Sequence, residues 1–178
     1  MSAPAHTLVL GGARSGKSVF AERLVRASGL SLIYLATGSA GDTEMCARIA
    51  RHRRDRGPDW RTVEEPLALA EALAREAAPA QAVLVDCLTL WLSNLMHAGR
   101  DPEAETRGLL AALERCRGPV TLVSNEVGLG IVPETPLGRA FRDAQGRLNQ
   151  AVAAAVGRVA LVAAGLPLWL KGTPEEAP

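Results

Sequence analysis

Eight consecutive residues, Gly11-Gly12-Ala13-Arg14-Ser15-Gly16-Lys17-Ser18, match the pattern G-x-x-x-x-G-K-[ST] without a mismatch. Small residues let successive backbone N–H groups turn inward around phosphate oxygens. Lys17 adds a point charge toward the β- and γ-phosphates, and the Ser18 hydroxyl is a ligand for Mg²⁺. The chemistry implied is the binding of a nucleoside triphosphate. A second stretch, Ala82-Val83-Leu84-Val85-Asp86, is an apolar run that ends in an acid. An aspartate at a strand terminus reaches Mg²⁺ or its waters beside the phosphate-loop hydroxyl. Many strands end in aspartate, so Asp86 takes its meaning from the pairing with residues 11–18.

Three further stretches carry polar chemistry. Ala36-Thr37-Gly38, continuing into Ser39-Ala40-Gly41, has the small composition expected where backbone approaches a ligand at the carboxyl edge of a parallel sheet, and equally that of a plain connection. Arg48, Arg51, His52, Arg53, Arg54 and Arg56 form a basic cluster at the end of a helix opened by Asp42-Thr43-Glu44-Met45. The spacing puts Glu44, Arg48 and His52 on one face. Such a cluster reads either as a solvated face or as a surface for triphosphate, since arginine forks suit phosphate oxygens. In the second reading His52 is a candidate nucleophile, because nearby guanidinium charges favour the neutral imidazole with its free ring nitrogen. Glu64 and Glu65, before Pro66, read as carboxylates at the start of a helix or, for one of them, as an acceptor for a base or ribose.

The elements that must position these groups alternate along the chain. Strands are expected at residues 7–10, 30–37, 60–63, 82–86 and 119–124, with a closing pair at 158–165 and 168–171 turning at Leu166-Pro167. Helices follow the phosphate loop, occupy residues 42–54, begin at Glu64-Glu65-Pro66, and span 88–96, 102–116 and 137–156. The 88–96 helix is apolar on more than one face, which favours cover by another subunit over deep burial. In the last helix Leu137, Phe141, Ala144, Leu148, Ala151 and Ala155 make the expected core stripe, while Arg139, Arg142, Asp143, Arg147, Asn149 and Gln150 occupy the other face. The strand at 119–124 delivers Asn125-Glu126 to the edge that carries Asp86 if the strands are parallel. The loop that follows, residues 127–136, has the make-up of a lid or substrate wall. The fold class is α/β: a P-loop NTPase, RecA-like, with a mostly parallel sheet flanked by helices and a C-terminal antiparallel hairpin.

Length and charge bound the rest. The chain has 178 residues, enough for one domain with a full core; residues 1–172 are expected to form it and residues 173–178 a disordered tail. Its 20 basic and 19 acidic residues leave no global field for nucleic acid or an anionic membrane. No stretch approaches the roughly 20 apolar residues of a membrane span, and the first residues do not read as a signal peptide, so a cytoplasmic protein is expected. Cys46, Cys87 and Cys116 form no C-x-x-C pair and read as core or incidental thiols.

Taken together, several stretches resemble one family. They are residues 11–18, Tyr-Leu-Ala-Thr at 34–37, Glu-Met-Cys-Ala-Arg-Ile-Ala-Arg-His-Arg at 44–53, and Trp-Arg-Thr-Val-Glu-Glu-Pro at 60–66. To these are added Asp-Cys-Leu-Thr-Leu-Trp-Leu-Ser-Asn-Leu at 86–95, Ser-Asn-Glu-Val-Gly-Leu-Gly-Ile-Val-Pro-Glu at 124–134 and Gly-Arg-Leu-Asn-Gln at 146–150. They are similar to the bifunctional adenosylcobinamide kinases / adenosylcobinamide-phosphate guanylyltransferases of cobalamin biosynthesis. The phosphate loop is generic; the 124–134 stretch and the Arg-Ile-x-x-His segment are specific. Some members carry an additional histidine where this chain has Arg51.

The resemblance implies two reactions on one substrate. ATP or GTP gives its γ-phosphoryl group to the aminopropanol hydroxyl of adenosylcobinamide, and GTP then gives GMP, through a guanylylated histidine, to the new phosphate. The matching histidine is His52, with Lys17 the second catalytic side chain. Nucleotide contacts are implied for the phosphate loop, Ala36, Thr37, Gly38, Arg53, Arg54, Asp55, Arg56, Glu64 and Asp86, with Mg²⁺ on Ser18 and Asp86. The resemblance also implies a homotrimer, and the balanced charge gives no reason to expect a nucleic-acid partner. Two rival readings stand beside it: a small-molecule kinase without nucleotidyl transfer, and a nucleotide-dependent switch module acting on a partner.

Overall fold

A computed structural model of the chain describes residues 6–38 and 57–173. The strands are β1 (Thr7–Gly11), β2 (Ser31–Ala36), β3 (Trp60–Glu64), β4 (Gln81–Asp86), β5 (Val120–Asn125), β6 (Arg158–Ala163) and β7 (Leu166–Lys171). All belong to one sheet, in the order β3-β2-β4-β5-β1-β6-β7. Among the described residues six strands run parallel and β7 alone returns antiparallel beside β6. The alternating sheet of the sequence reading is therefore present with its C-terminal hairpin. The hairpin turns at Ala164-Gly165, with φ values of 51° and 80°, rather than at Leu166-Pro167. A glycine in the second position suits this left-handed pair, and Pro167 is tolerated because β7 is an edge strand.

The helices among the described residues are α1 (Lys17–Arg26), α2 (Leu69–Glu76), α3 (Leu88–His97), α4 (Pro102–Arg115) and α5 (Pro136–Ala155). Local chemistry sets several of their starts. Asp101 and Thr135 each accept a backbone N–H from the first turn, of Glu103 and Gly138 respectively, and proline follows each cap at the position where its missing N–H costs nothing. α2 starts later than Glu64-Glu65-Pro66 suggests. Glu64 ends β3, while the Glu65 carboxylate accepts the N–H groups of Leu67 and Ala68 and stops that segment from continuing the strand.

Two apolar layers sandwich the sheet. α1 lies over Val9, Leu84, Val123 and Val162, and Tyr34 and Trp60 extend this layer with an edge-to-face ring contact at 6.2 Å. The other layer joins Leu8, Leu10, Ile33, Leu35, Val85 and Leu122 to the buried faces of α2 to α5. α3 sits in the second layer with Leu88, Trp91, Leu92 and Leu95 almost wholly buried and the Trp91 indole N–H donating to the Leu67 carbonyl at 2.9 Å. Its apolar composition is thus satisfied inside its own chain, and the subunit cover expected for residues 88–96 is not needed to explain it.

The α5 stripe is rotated relative to the sequence reading. Ala144, Gln145, Leu148, Asn149 and Val152 face inward, whereas Leu137 and Ala155 are exposed. The reason is polar: Gln145 and Asn149 meet the buried hydroxyl of Ser124, so the helix turns two amides toward the sheet.

Candidate active site

The phosphate loop joins the C-terminal end of β1 to α1 and lies against the β6–β7 turn. Gly11 permits a close approach: a Cβ there would collide with the Ser15 hydroxyl and lie 2.6 Å from the Val162 carbonyl oxygen. Gly16 caps α1 at φ 92°, a left-handed conformation that ordinary side chains disfavour. Its neighbour on the other side of a tight contact is Gly165, whose N–H donates to the Ser15 carbonyl at 2.8 Å. Edge-to-face packing of Phe20 on Trp169, with centroids 5.9 Å apart, adds a second tie between α1 and the hairpin. Lys17 donates from Nζ to the Gly12 carbonyl at 3.0 Å, folding its stem along the loop that it serves.

Asp86 ends β4 at the same sheet edge, half-buried, and its Oδ2 accepts the Tyr34 hydroxyl at 2.9 Å. Lys17 and Asp86 both act on the thiol of Cys87, which burial first and the Asp86 charge second push up to about 11 while Lys17 opposes them. Lys17 follows the end of β1 and Asp86 ends β4, one strand apart at the same sheet edge, and the buried thiol of Cys87 stays protonated and is no nucleophile. Cys116 is also raised by burial and sits in the core; Cys46 lies outside the described residues.

A magnesium ion fits this donor set. Ser18 in the first turn of α1 and a carboxylate fixed by a tyrosine hydroxyl supply hard oxygens, and Mg²⁺ needs only one or two protein ligands when phosphates and water complete its shell. Among the described residues no group of three or more His, Cys, Asp or Glu side chains forms a closed metal cage.

The exit of β2 is built differently from a simple ligand loop. Ala36 pairs in register with Glu64 on one side and Asp86 on the other. Thr37 is fully buried: its hydroxyl donates to the Cys87 carbonyl at 2.7 Å and accepts the Cys87 N–H at 2.8 Å. Its N–H donates to the Asp86 carbonyl and its own carbonyl accepts Asn94 Nδ2. The hydroxyl and N–H of Thr37 hold the β2 and β4 termini together, and its carbonyl ties them to α3. Glu64, exposed at the end of the edge strand, faces the same rim. His52 and the nucleotide contacts expected at Arg53, Arg54, Asp55 and Arg56 lie outside the described residues.

One feature escaped the sequence because it depends on strand order. β5 lies between β1 and β4, so Asn125 and Glu126 emerge between the phosphate loop and Asp86. Glu126 donates its N–H to the Gly11 carbonyl at 3.1 Å, and its carboxylate accepts Gly128 N–H at 2.7 Å. Arg139 braces the same loop by donating to the carbonyls of Pro133 and Glu134, and Arg142 pairs with Asp143.

A glycine-rich strand-to-helix loop sharing its sheet edge with a strand-terminal aspartate defines a phosphate-loop nucleotide-binding α/β protein. The family is narrower. The family model described as cobinamide kinase / cobinamide phosphate guanyltransferase matches residues 7–170, and the chain belongs to that family. It is 53% identical to the bifunctional adenosylcobalamin biosynthesis protein CobP of Pseudomonas aeruginosa, over 94% of this chain and 98% of that protein. It is 44% identical to the bifunctional adenosylcobalamin biosynthesis protein CobU of Escherichia coli and 42% identical to its counterpart in Salmonella typhimurium, each over 92% of this chain and 98% of the relative. A crystal structure of the RadB recombinase overlays with a TM-score of 0.46 and 15% identity, covering 89% of this chain and 74% of that one.

Proposed function

We propose that this chain phosphorylates adenosylcobinamide with ATP or GTP and then transfers GMP from GTP, through a guanylylated His52, to give adenosylcobinamide-GDP and pyrophosphate. The observation that carries the reading is the shared edge, where the phosphate loop after β1 and Asp86 at the end of β4 stand one strand apart within a chain that belongs to the cobinamide kinase / cobinamide phosphate guanyltransferase family.

In the first reaction the aminopropanol oxygen attacks the γ-phosphorus and the bond to the β,γ-bridging oxygen breaks. A nucleoside diphosphate leaves, and the hydroxyl proton passes to solvent or to a phosphate oxygen. Phosphoryl transfer asks the protein mainly for alignment and charge neutralisation. Backbone N–H groups of residues 11–18 and the Lys17 ammonium serve that need. When bound on Ser18 and Asp86, Mg²⁺ supplies further neutralisation of the phosphate charge.

In the second reaction a ring nitrogen of neutral His52 attacks the α-phosphorus of GTP and pyrophosphate leaves. An oxygen of the adenosylcobinamide phosphate then attacks the same phosphorus, breaking the P–N bond and releasing the imidazole. Arg53, Arg54, Asp55, Arg56 and Glu64 are assigned to the guanine nucleotide, with Ala36 and Gly38 contributing backbone. Thr37 acts through position alone.

A homotrimer in the cytoplasm belongs to the same proposal. It is compatible with the described helices, none of which is long and apolar enough to cross a membrane. Sedimentation as a trimer is the expected result, and a monomer would remove that part of the reading. The activity itself is tested by mass spectrometry of the corrinoid after incubation with GTP. Adenosylcobinamide-GDP is the expected product; accumulation of the phosphate ester alone would leave a small-molecule kinase.

A further inference from the structure

We propose that Asn125 is a catalytic residue of the phosphoryl-transfer step, donating from its side-chain amide to the γ-phosphoryl group, and that Ser124, Gln145 and Asn149 form the frame that fixes it. The inference rests on the two-reaction reading above and divides the residues of its shared site between the two steps.

Three observations converge on Asn125. Its place comes first: it is the last residue of β5, opposite Gly11 in the ladder, on the strand that separates the phosphate loop from Asp86. A γ-phosphoryl group held by that loop and neutralised near Asp86 lies over the end of the intervening strand. The next residue offers no rival donor, because the Glu126 carboxylate, which accepts the Gly128 N–H, has no proton to give a phosphoryl oxygen.

The second observation is rigidity. The Asn125 N–H donates to the Thr89 hydroxyl at 2.8 Å, and its carbonyl accepts Asn149 Nδ2 at 3.1 Å, so side chains from α3 and α5 hold both backbone groups. Asn149 is fixed in turn. Its Oδ1 accepts the Ser124 hydroxyl at 2.7 Å and Gln145 Nε2 at 3.0 Å, while Gln145 Nε2 also reaches the Ser124 oxygen at 2.9 Å. Ser124 and Gln145 are wholly buried and Asn149 nearly so. Three polar side chains are buried to hold one strand terminus, and the cluster bears the cost of leaving Gln145 Oε1 without a partner.

The third is the unpaired end of the amide. Asn125 Oδ1 is sealed from solvent without a hydrogen-bond partner, a condition it shares in this cluster with Gln145 Oε1. The reverse orientation would aim an acceptor oxygen at phosphate. With the oxygen turned inward, the Nδ2 end is the one left for a phosphoryl oxygen, and the unpaired acceptor is the consequence of aiming the donor. A donor held before the charge develops stabilises the transition state with no reorganisation.

The test uses the full chain with Asn125→Ala and the equally shaped Asn125→Asp. Two rates are followed: phosphorylation of adenosylcobinamide, and GMP labelling of the protein by GTP labelled at the α-phosphate. Loss of one preorganised donor is expected to lower kcat for phosphorylation about 100-fold, with the nucleotide KM and GMP labelling held within about threefold. Asn125→Asp should be the slower variant, because it sets a carboxylate against phosphate. A parallel fall in both reactions would reduce Asn125 to a structural role, and unchanged phosphorylation would remove it from the site; either overturns the proposal. If the alanine variant fails to fold, the aspartate variant decides by the same split. Failure of the unmodified protein to phosphorylate the corrinoid would instead defeat the two-reaction reading.

Discussion

The N–H of Gly165 donates to the carbonyl of Ser15 at 2.8 Å, fastening the turn of the C-terminal hairpin to the peptide that shapes the phosphate loop. A hairpin at the far edge of the sheet thereby becomes part of the nucleotide site. Gly165 has φ 80°, where a side chain costs about 1–2 kcal/mol, and more when it is β-branched. Gly165→Val is expected to lower the melting temperature by several degrees and to raise the nucleotide KM about tenfold. Melting and initial rates measure both, and an unchanged KM in a destabilised protein would show that the turn supports the fold and not the loop.

The Tyr34 hydroxyl donates to Asp86 Oδ2 at 2.9 Å and restrains the carboxylate at the end of β4. Removing the hydroxyl frees that rotor and costs roughly 1–2 kcal/mol of a charge-assisted bond. Tyr34→Phe is expected to raise the Mg²⁺ concentration for half-maximal phosphorylation by about tenfold. The measurement is a magnesium titration at fixed nucleotide. No shift would mean that Asp86 does not meet the metal.

Thr37 joins the two strand ends on either side of the site's rim through one hydroxyl that both donates to and accepts from Cys87. Thr37→Val keeps the shape and strands the buried Cys87 N–H, while the Cys87 carbonyl still accepts the Trp91 N–H; the expected loss is about 1–3 kcal/mol in chemical denaturation. Its effect on kcat should follow this loss of alignment while the protein remains folded at 25 °C. Full activity would argue that β2 and β4 need no such clamp.

His6 gives the fold a pH dependence of predictable sign. Its Nδ1 accepts the Val120 N–H at 3.2 Å and its Nε2 lies 3.0 Å from the Leu113 carbonyl, an arrangement that needs the neutral ring with a proton on Nε2. Burial lowers its pKa below 6.5, against a smaller opposing effect of the Leu113 carbonyl. The unfolded chain therefore takes up the proton first. The stability contributed by His6 is fully present above pH 6.5 and is lost as pH falls toward and through the lowered folded value. Urea denaturation between pH 7.5 and about 5 should show this loss, and His6→Gln should flatten it. An equal slope in the variant would assign the dependence elsewhere.

The amino-acid sequence carried the phosphate loop, the strand ending at Asp86 and the final hairpin, because each is written in a few adjacent residues whose types are fixed by backbone geometry. It did not carry the insertion of β5 between β1 and β4, since strand order depends on packing between residues far apart in the chain. Asn125 was legible only as a residue at an edge. Asn149 was misplaced on the outer face of α5 because amides count as polar in a periodicity, whereas here Ser124 and Gln145 satisfy it inside. Thr37 stood in a plausible ligand loop, yet its buried hydroxyl has structural partners 50 residues away. Glu64 and Glu65 divided between a rim position and a turn, a distinction set by where β3 ends.

The proposed GMP transfer requires that His52 become covalently guanylylated. The direct measurement is incubation of the pure protein with GTP labelled at the α-phosphate, followed by peptide mapping, with His52→Asn in parallel. An acid-labile, alkali-stable GMP adduct on His52 is expected, absent from the variant, which should still phosphorylate adenosylcobinamide. No adduct on the unmodified protein, or GMP transfer at normal rate by His52→Asn, would contradict it.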